Sequence, residues 1–493
     1  MAVTEAPKAV SSRRWGRGLA GVVRRTRVPA SNRSWLLPPL VLAVLGGWLV
    51  ARRYGFWFDE LYTAEVAPLP LRRLAEALVR GDGTIAYLRD APPSYNAPYY
   101  AVTHLWLLFT PFGPDEVGLR MLSLLAAVGA AAVFTRAVAR LTDHRTGLIA
   151  GLLLATNPFV VAYADEARGY ALALLATALA ALGLARWLDG EPRALLLYGL
   201  AAAAAGLFHW FALLVPAAFA LSAVILRRRA ARPVVVATAV AAVPALAIVG
   251  IALANGVGGS GAEWIRDVGL AVPTRLLRSW TGGHLALLVA TVVAVVAGTR
   301  TRNRQARVVA VCWVGAPVAA VTLAELVRPV YVDRYLLPAV IGLAVLAALG
   351  VARCSPRWLP AALAGLLILS AVATVSNSGQ GPREDVRGAV ALVASGHRPG
   401  EPVVAAARWD ALGLEHYTRR QHPALATDLV LPPAAVPPAS SVWVVRRATA
   451  GVKGDGAKLA DLDRELAGRG LRVVDERRVE GRRSVVLVQR WTA

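Results

Sequence analysis

The fold is decided by Trp35–Ala67, in which the apolar run "WLLPPLVLAVLGGWLVARR" is followed directly by "YGFWFDELYTAEVA". The run Trp35–Arg53 has the length and composition of a transmembrane helix, which needs about 20 residues to cross a hydrocarbon core of about 30 Å. The aromatic residues after it are typical of a membrane–water interface. Asp59 and Glu60 are therefore predicted to lie where the lipid ends, in a chain with a net charge of +23.

The rest of the chain continues this pattern, since 56% of its 493 residues are hydrophobic. Soluble domains contain about 45–50%. Twelve apolar runs fall between Trp35 and Val375, which predicts an α-helical polytopic membrane protein. The arginines lie mainly in short clusters between the runs, so the positive charge indicates membrane topology and lipid contact rather than a nucleic-acid partner.

The arginine clusters favour eleven crossings over twelve. The run Tyr99–Phe112 is short, and if it crossed, four arginine clusters would lie opposite the basic N-terminus. If it lies in the interface or dips into the membrane, every cluster is cytoplasmic, as the positive-inside rule requires. We therefore predict about eleven transmembrane helices, with twelve as the alternative, and a cytoplasmic N-terminus.

This topology divides the chain into three parts. Residues 1–34 are predicted to be a basic cytoplasmic tail, and residues 35–375 a transmembrane domain with an outer first loop at 54–116. Residues 376–493 lose the apolar pattern and are predicted to form a small extracytoplasmic α/β domain.

Two segments outside the apolar runs have a clear periodicity. In the first loop, "PLPLRRLAEALVR" places apolar side chains at helical spacing opposite charged ones, which predicts an amphipathic helix lying on the membrane. Its predicted apolar face consists of Leu71, Leu74, Ala75 and Leu78. Beyond Val375, the pattern predicts the order helix, strand, strand, helix, strand, strand.

Carboxylates gather at the predicted outer face. Asp59 and Glu60 lie at an apolar boundary, where partial burial suits a general base, although a helix-end pair facing water is the alternative. The segment "YADEARGY" places Asp165, Glu166 and Arg168 between two apolar runs. Its arginine suits a lipid-borne phosphate diester, and a local surface salt bridge is the alternative.

Three further polar segments fall at or near this face. Arg120 lies inside the run Val117–Ala139, so it must snorkel or pair with an anion. The segment "RPVYVDRYLLP" offers Arg334 and Tyr335, either as a grip on a lipid phosphate or as interface anchors. His209 has an apolar context and is interpreted as a satisfied polar group more readily than as a metal ligand.

No cofactor is firmly predicted. A divalent cation such as Mg²⁺, Mn²⁺ or Ca²⁺ could be shared by Asp59 with Asp165 or Glu166, because carboxylate oxygens suit hard cations, but no spacing demands it. The sequence contains no Walker loop, dinucleotide fingerprint or nucleophile elbow. An activated substrate is therefore expected to arrive through the lipid phase.

Taken in order, these segments resemble the GT-C superfamily of polyprenyl-phosphate-sugar glycosyltransferases. Within it they resemble the protein O-mannosyltransferase-like family, which includes the lipid A aminoarabinose transferases. The segments that carry the resemblance are "FDE", "PPSYNAPYYAVTHLW", "FGPDEVGLRMLSLLAAV", "NPFVVAYADEARGYALALL", "FHWFALL" and "DRYLLP". The resemblance implies an inverting enzyme of a bacterial plasma membrane, which transfers a mannose-like sugar from a polyprenyl phosphate to an acceptor hydroxyl on the outer face.

The resemblance also implies roles for individual residues. Asp59 would be the general base, or would orient the acceptor together with Glu60. The residues implied at the donor phosphate and sugar are Arg120, Asp165, Glu166, Arg168, Tyr170, His209, Arg334 and Tyr335. The acceptor could be a protein, a glycolipid or a polysaccharide.

Two other functions fit parts of this pattern. A lipid-linked oligosaccharide transferase or ligase would use a similar donor but transfer a preassembled glycan. A lipid or solute transporter would show repeated halves and charges near the bilayer midplane, whereas the charges here concentrate at one edge.

Overall fold

The computed structural model of the protein describes residues 33–80, 96–254, 265–378, 381–448 and 455–493. The chain divides into two units, Met1–Arg33 and Ser34–Ala493, and all elements below belong to the second. The predicted cytoplasmic tail, residues 1–34, lies almost entirely outside the described residues.

Within the described residues, seven helices are long and apolar enough to cross a membrane. They are Ser34–Ala51, Glu116–Leu141, Tyr170–Leu188, Trp210–Arg227, Arg232–Ala254, Arg304–Glu325 and Leu359–Ser378. Three bent helix pairs raise the number to ten if each pair is one span. The pairs are His144–Ala155 with Pro158–Ala164, Gly269–Trp280 with Leu285–Thr299, and Asp333–Val340 with Gly342–Val351.

Two shorter helices decide how this number compares with the predicted eleven. Ala194–Phe208 is apolar, and it would make the eleventh crossing if it spans the membrane. Ala97–Phe109 has 13 residues. A helix of that length extends about 20 Å, less than the hydrocarbon core of about 30 Å. Its length therefore suits the predicted non-crossing segment, and the number of crossings stays a prediction.

The bend before the "DEARGY" segment has a local cause. Asn157 has an extended backbone, and its side-chain oxygen accepts hydrogen bonds from the backbone N–H groups of Phe159 and Val160 at 3.0 and 3.2 Å. Pro158 follows it, and proline suits the first turn of a helix because its missing N–H would be unpaired there anyway. The new helix ends at Ala164, and the backbone N–H of Ala167 contacts the first loop.

Glycines allow two helices to pack closely in the transmembrane domain. A Cβ atom on Gly298 would lie 1.9 Å from the carbonyl oxygen of Leu346, and one on Gly350 would lie 1.9 Å from that of Ala294. No larger side chain fits at either position without moving a backbone. Small residues at such crossings are typical of membrane helices.

The residues from 381 to 493 form the C-terminal domain. Its helices are Val386–Gly396, Arg408–Gln421 and Asp455–Gly468. Its strands are β1 (Val403–Ala405), β2 (Leu429–Val430), β3 (Ser441–Arg447), β4 (Arg472–Glu480) and β5 (Val485–Thr492). They form one sheet in the order β2-β1-β3-β5-β4, with β1 parallel to β2 and β3, and β5 antiparallel to β3 and β4.

The predicted fold class, a polytopic helical protein with a small C-terminal α/β domain, is thereby confirmed. The predicted order of elements in the domain also agrees with the structure, which adds β2 and the helix Arg408–Gln421. We call Arg408–Gln421 the docking helix, because it packs on the first loop. Leu412 and Tyr417 share a buried cluster with Phe56 and Leu61.

The first loop begins with two helices, Phe58–Val66 and Leu71–Arg80. The second is amphipathic as predicted, but its buried face is centred on Leu74 and Ala77. Leu71, which was predicted on the apolar face, is 70% exposed. The difference arises because this helix packs against protein along one narrow stripe, and Leu71 lies outside that stripe.

Candidate active site

The site is built on the short helix Phe58–Val66, which we call the FDE helix. Trp57 precedes it with an extended backbone, and Asp59 and Glu60 lie in its first turn. Negative side chains are favoured there by the helix dipole. The backbone N–H of Trp57 donates to the Glu60 carboxylate at 3.4 Å, which closes the helix start on itself.

Glu60 is held on all sides. Its carboxylate receives two parallel hydrogen bonds from the Arg120 guanidinium, at 2.8 Å from Nε and 2.6 Å from Nη2. The backbone N–H of Ala167 donates to it at 2.9 Å. Side-chain exposure is 1% for Glu60 and 5% for Arg120, so solvent does not screen the pair.

Arg120 also fixes the chain before the FDE helix. It donates to the carbonyl oxygens of Tyr54 at 2.7 Å and Gly55 at 3.2 Å. These bonds and the pair with Glu60 take up its guanidinium in this structure. The contact with a donor phosphate that the resemblance implied for Arg120 stays a prediction, and the geometry favours a positioning role for both residues.

Asp59 points to a different neighbourhood. Its carboxylate lies 3.1 Å from Nη2 of Arg334, and Nε of Arg334 donates to the Tyr170 hydroxyl at 2.9 Å. The Asp59 side chain is 17% exposed, against 1% for Glu60. Of the two adjacent carboxylates, Asp59 is therefore the one that a substrate can reach.

A second arginine reaches the same turn of the FDE helix. Arg168 donates to the backbone carbonyl of Asp59 at 3.2 Å and to the Tyr100 hydroxyl at 3.0 Å. Asp59 thus lies near two buried guanidinium groups, those of Arg168 and Arg334. Such an arrangement suits an anion whose charge increases during a reaction.

Aromatic rings close this side of the site. The ring of His209 lies 5.3 Å from that of Tyr170 and 4.9 Å from that of Tyr335, between centroids. Burial, reinforced by the charges of Arg334 and Arg168, lowers the pKa of His209 to about 3. His209 is therefore neutral at physiological pH, and its Nδ1 has no hydrogen-bond partner among the described residues.

Asp165 and Glu166 face away from this aromatic wall, towards the C-terminal domain. Glu166 pairs with Arg383 at 2.7 Å, with both side chains less than one-tenth exposed. Burial raises the pKa of Asp165 to about 6 and that of Glu166 to about 7. Together with Arg120 and Arg482 they line a crevice with about 300 Å³ of empty space, part of it open to solvent.

The structure therefore separates the predicted site residues into two groups. Asp59 lies with Arg168, Tyr170, His209, Arg334 and Tyr335. Glu60, Arg120, Asp165 and Glu166 line the crevice on the other side. In the described part of the chain, no three His, Cys, Asp or Glu side chains come together in a way that could hold a metal ion. The divalent cation stays a prediction.

Three residues at the site were not singled out from the sequence. Arg383 follows the last apolar run in "GPREDVRG", where an arginine beside a span was the available signal. Arg482 comes from a distant hairpin and had no local signal. The sequence indicates Trp57 only as one of several interfacial aromatic residues, whereas its ring faces both Arg383 and Arg334, at 4.7 and 5.5 Å from its centroid.

The docking helix connects the C-terminal domain to the FDE helix. The backbone N–H of Phe56 donates to the Tyr417 hydroxyl at 2.6 Å. Glu65, near the end of the FDE helix, forms a short contact with His416 and lies 3.8 Å from Arg420. The FDE helix is thus held by Arg120 of the transmembrane domain and by these contacts from the C-terminal domain.

Comparisons with known proteins agree with this architecture. Residues 96–251 match the sequence model of the dolichyl-phosphate-mannose-protein mannosyltransferase family. A search among curated protein sequences finds no significant match. The crystal structure of ArnT from Cupriavidus metallidurans bound to undecaprenyl phosphate is similar, with a TM-score of 0.57 and 16% identity, over 92% of this chain and 97% of that one.

An oligosaccharyltransferase from Archaeoglobus fulgidus, tethered to an acceptor peptide, is also similar. Its TM-score is 0.54 at 13% identity, over 84% of this chain and 69% of that one. The predicted resemblance to the GT-C superfamily is confirmed. At these identities the structural matches show a common fold, and the chemistry must be argued from the residues of this chain.

Proposed function

We propose that this chain, which has the GT-C fold, is an inverting glycosyltransferase that moves a mannose-like sugar from a polyprenyl phosphate to an acceptor hydroxyl. The observation that carries the proposal is the environment of Asp59. The Asp59 carboxylate is partly accessible and has Arg334 at 3.1 Å, whereas the adjacent Glu60 carboxylate is buried in an ion pair with Arg120.

In the proposed reaction, the acceptor oxygen attacks the anomeric carbon of the donor as the bond from that carbon to the phosphate oxygen breaks. The acceptor proton passes to the Asp59 carboxylate. General-base help of this kind contributes roughly 10²- to 10⁴-fold. The leaving polyprenyl phosphate takes the electron pair, and the guanidinium groups of Arg168 and Arg334 stabilise its charge.

Attack from the face opposite the leaving phosphate inverts the anomeric configuration. A retaining route would need a second carboxylate as acid/base at a separation of about 5–5.5 Å from the nucleophile. The adjacent carboxylate, Glu60, receives both of its strong hydrogen bonds from Arg120. This supports Asp59 acting alone.

The donor class follows from the relatives and from the site. ArnT has been crystallised with undecaprenyl phosphate, and the matching family model is named for a dolichyl-phosphate mannose donor. Asp59 contacts Arg334, which in turn contacts Tyr170, and these two residues lie at the starts of the apolar helices Asp333–Val340 and Tyr170–Leu188. A donor carried by lipid would therefore approach Asp59 from the side of these helices. We place the enzyme in a bacterial plasma membrane, with the N-terminus in the cytoplasm and the C-terminal domain outside.

A second candidate is a lipid-linked oligosaccharide transferase. It is supported by the similarity to the oligosaccharyltransferase, although this chain covers 69% of that protein's length. The two candidates differ in the size of the group that is transferred. The proposed acceptor is a protein, a glycolipid or a polysaccharide.

The test is a donor panel. The purified protein in lipid nanodiscs is given polyprenyl phosphates carrying mannose, galactose, arabinose, an aminosugar or a preassembled oligosaccharide, together with candidate acceptors. We expect consumption of a monosaccharide donor and a product of inverted configuration by NMR. Consumption of the oligosaccharide donor alone favours the second candidate, and a retained configuration contradicts the mechanism.

A further inference from the structure

Arg383 belongs to the C-terminal domain, but its side chain is buried against the transmembrane domain. It lies shortly before the first helix of the C-terminal domain, Val386–Gly396. Its side chain is 8% exposed, and its Nη2 atom is 2.7 Å from the Glu166 carboxylate. Nη2 also donates to the Ala162 carbonyl at 3.4 Å. Arginines are rarely buried to this extent unless they are paired, so the residues around Arg383 fix its position.

Two aromatic rings of the transmembrane domain lie against the Arg383 guanidinium. Its central carbon is 4.7 Å from the centroid of the Trp57 ring and 5.0 Å from that of the Tyr163 ring. Both distances are within the range of cation–π interactions, which are strongest where the groups are desolvated. Both rings are buried here. The Trp57 ring is therefore held by a cation that the C-terminal domain supplies.

Trp57 connects Arg383 with the residues that are proposed to act in the reaction. It immediately precedes the FDE helix, and Asp59 lies in the first turn of that helix. The Trp57 ring also has the Arg334 guanidinium at 5.5 Å from its centroid, and Arg334 lies 3.1 Å from the Asp59 carboxylate. A shift of the Trp57 ring would therefore disturb both the start of the FDE helix and the Asp59–Arg334 pair.

The surroundings of Arg383 keep its side chain charged. Burial alone would lower the pKa of Arg383, but the charge of Glu166 keeps this pKa above its usual value. The ion pair with Glu166 does not have hydrogen-bond geometry, and Nη1 of Arg383 has no hydrogen-bond partner among the described residues. The main contacts of the guanidinium are therefore one carboxylate and two rings, which attract it by charge.

We propose that Arg383 is a positioning residue for the transfer reaction: the C-terminal domain uses it to hold Trp57, and thereby keeps Asp59 and Arg334 in their productive arrangement. Arg383 acts through Trp57 and touches neither the donor nor the acceptor. The inference rests on the proposed glycosyltransferase function. A displacement of reacting groups by about 1 Å can cost about 10²-fold in rate, so the loss of Arg383 should lower kcat and leave donor binding unchanged.

The first experiment measures kcat and the donor KM of the full-length protein in lipid nanodiscs. Arg383→Gln alone would leave the buried Glu166 carboxylate without its partner, so the main variant is Arg383→Gln/Glu166→Gln, which removes both charges together. We expect its kcat to fall about 10- to 10²-fold, with a donor KM close to that of the wild type. Arg383→Lys keeps a cation beside Trp57 and should retain more of the wild-type kcat than the double variant. An unchanged kcat in the double variant overturns the proposal.

Variants of Trp57 test whether Arg383 acts through this ring. In a Trp57→Leu background, which has no ring, adding Arg383→Gln/Glu166→Gln should lower kcat no further. In a Trp57→Phe background, which keeps an aromatic face, the same change should still lower kcat. If kcat falls by the same factor with and without a ring at this position, Arg383 acts by another route and the proposal is wrong.

The matched control is Arg387→Gln, in the first helix of the same domain. Arg387 pairs with Glu116 at 3.2 Å and donates to the Arg53 carbonyl at 2.7 Å. It therefore also joins the C-terminal domain to the transmembrane domain, through contacts that do not include Trp57. We expect Arg387→Gln to keep the wild-type kcat. A fall as large as that of the Arg383 variant would mean that any weakening of the domain contact slows the reaction, and it would contradict a specific role for Arg383.

A measurement without donor separates failure of this inference from failure of the proposed function. Hydrogen exchange of the FDE helix is compared between the wild type, Arg383→Gln/Glu166→Gln and Arg387→Gln. We expect faster exchange in the double variant than in the other two proteins. If the wild type consumes no donor but the double variant exchanges faster, the proposed transfer fails, and the support of the FDE helix by Arg383 stands. If the wild type consumes donor and the double variant matches it in kcat and in exchange, the inference fails and the transfer stands.

Discussion

The Glu60–Arg120 pair gives the sharpest test of how the site is built. Both side chains are almost fully buried and share two hydrogen bonds of 2.8 and 2.6 Å. Removing one partner of a buried pair leaves an uncompensated charge, which costs about 3–5 kcal/mol. Glu60→Gln and Arg120→Gln should each lower the free energy of unfolding by that amount.

The double variant Glu60→Gln/Arg120→Gln should cost much less than the sum of the two single variants. Two glutamine side chains can bond to each other without a buried charge, so we expect a coupling free energy of about 2–3 kcal/mol. Unfolding is measured by titration with sodium dodecyl sulfate in mixed micelles. The bonds from Arg120 to the carbonyls of Tyr54 and Gly55 are lost in both Arg120 variants, so they cancel in the cycle.

Donor turnover in the same variants distinguishes positioning from chemistry. If Glu60 positions the FDE helix, the double variant should turn over donor faster than either single variant. In the double variant the two glutamine side chains hold the helix by a hydrogen bond, and no unpaired charge is buried. If the unfolding free energies of the two single variants simply add up in the double variant, Glu60 and Arg120 do not act as a pair that holds the FDE helix. A double variant that is as inactive as Glu60→Gln would show that the Glu60 carboxylate is itself needed for the reaction.

Three further predictions concern other parts of the molecule. Burial alone would raise the pKa of Glu65, but the hydrogen bond and charge of His416, together with Arg420 and Arg419, hold this pKa below 4.5. The contact between Glu65 and His416 therefore stabilises the packing of the C-terminal domain on the FDE helix above about pH 4.5, and this stabilisation is lost as the pH falls further. Hydrogen exchange of the FDE helix should become faster at low pH in the wild type and should not change with pH in Glu65→Gln. Gly298→Ala should lower the free energy of unfolding by about 1–3 kcal/mol or more, because the new Cβ would lie 1.9 Å from the Leu346 carbonyl oxygen, and a thermal scan should show a lower midpoint. The control Gly315→Ala, whose new Cβ has nothing within 4 Å, should be neutral or stabilising. In a background without Cys312 and Cys354, a cysteine at Gly113 should react with an impermeant reagent from outside intact cells and one at Arg229 should not; the reverse pattern would contradict the proposed orientation.

The sequence predicted the membrane helices and the C-terminal domain well, because hydropathy, charge clusters and alternation are local signals. Trp35–Arg53 needed no partner to be recognised as a span. The helix Arg408–Gln421 could not be predicted because its apolar side chains are interrupted by polar residues that contact the first loop, among them His416 and Arg420.

The division of labour within the "FDE" segment could not be predicted from the sequence. Successive residues of a helix point about 100° apart, so Asp59 and Glu60 must face different neighbours. Which neighbours these are depends on Arg334 and Arg120, far away in the chain. Arg482 was missed for the same reason, since only the folding of a distant hairpin brings it to the crevice.

The most direct test of the central claim is the single-turnover rate of donor consumption by Asp59→Asn. The isostere keeps the size of the side chain and removes its basicity, so the rate should fall roughly 10²- to 10⁴-fold while the donor still binds. Asp189→Asn, whose carboxylate pairs with Arg140 away from the site, should keep the wild-type rate. A rate for Asp59→Asn that remains close to that of the wild type would contradict the role of Asp59 as the general base.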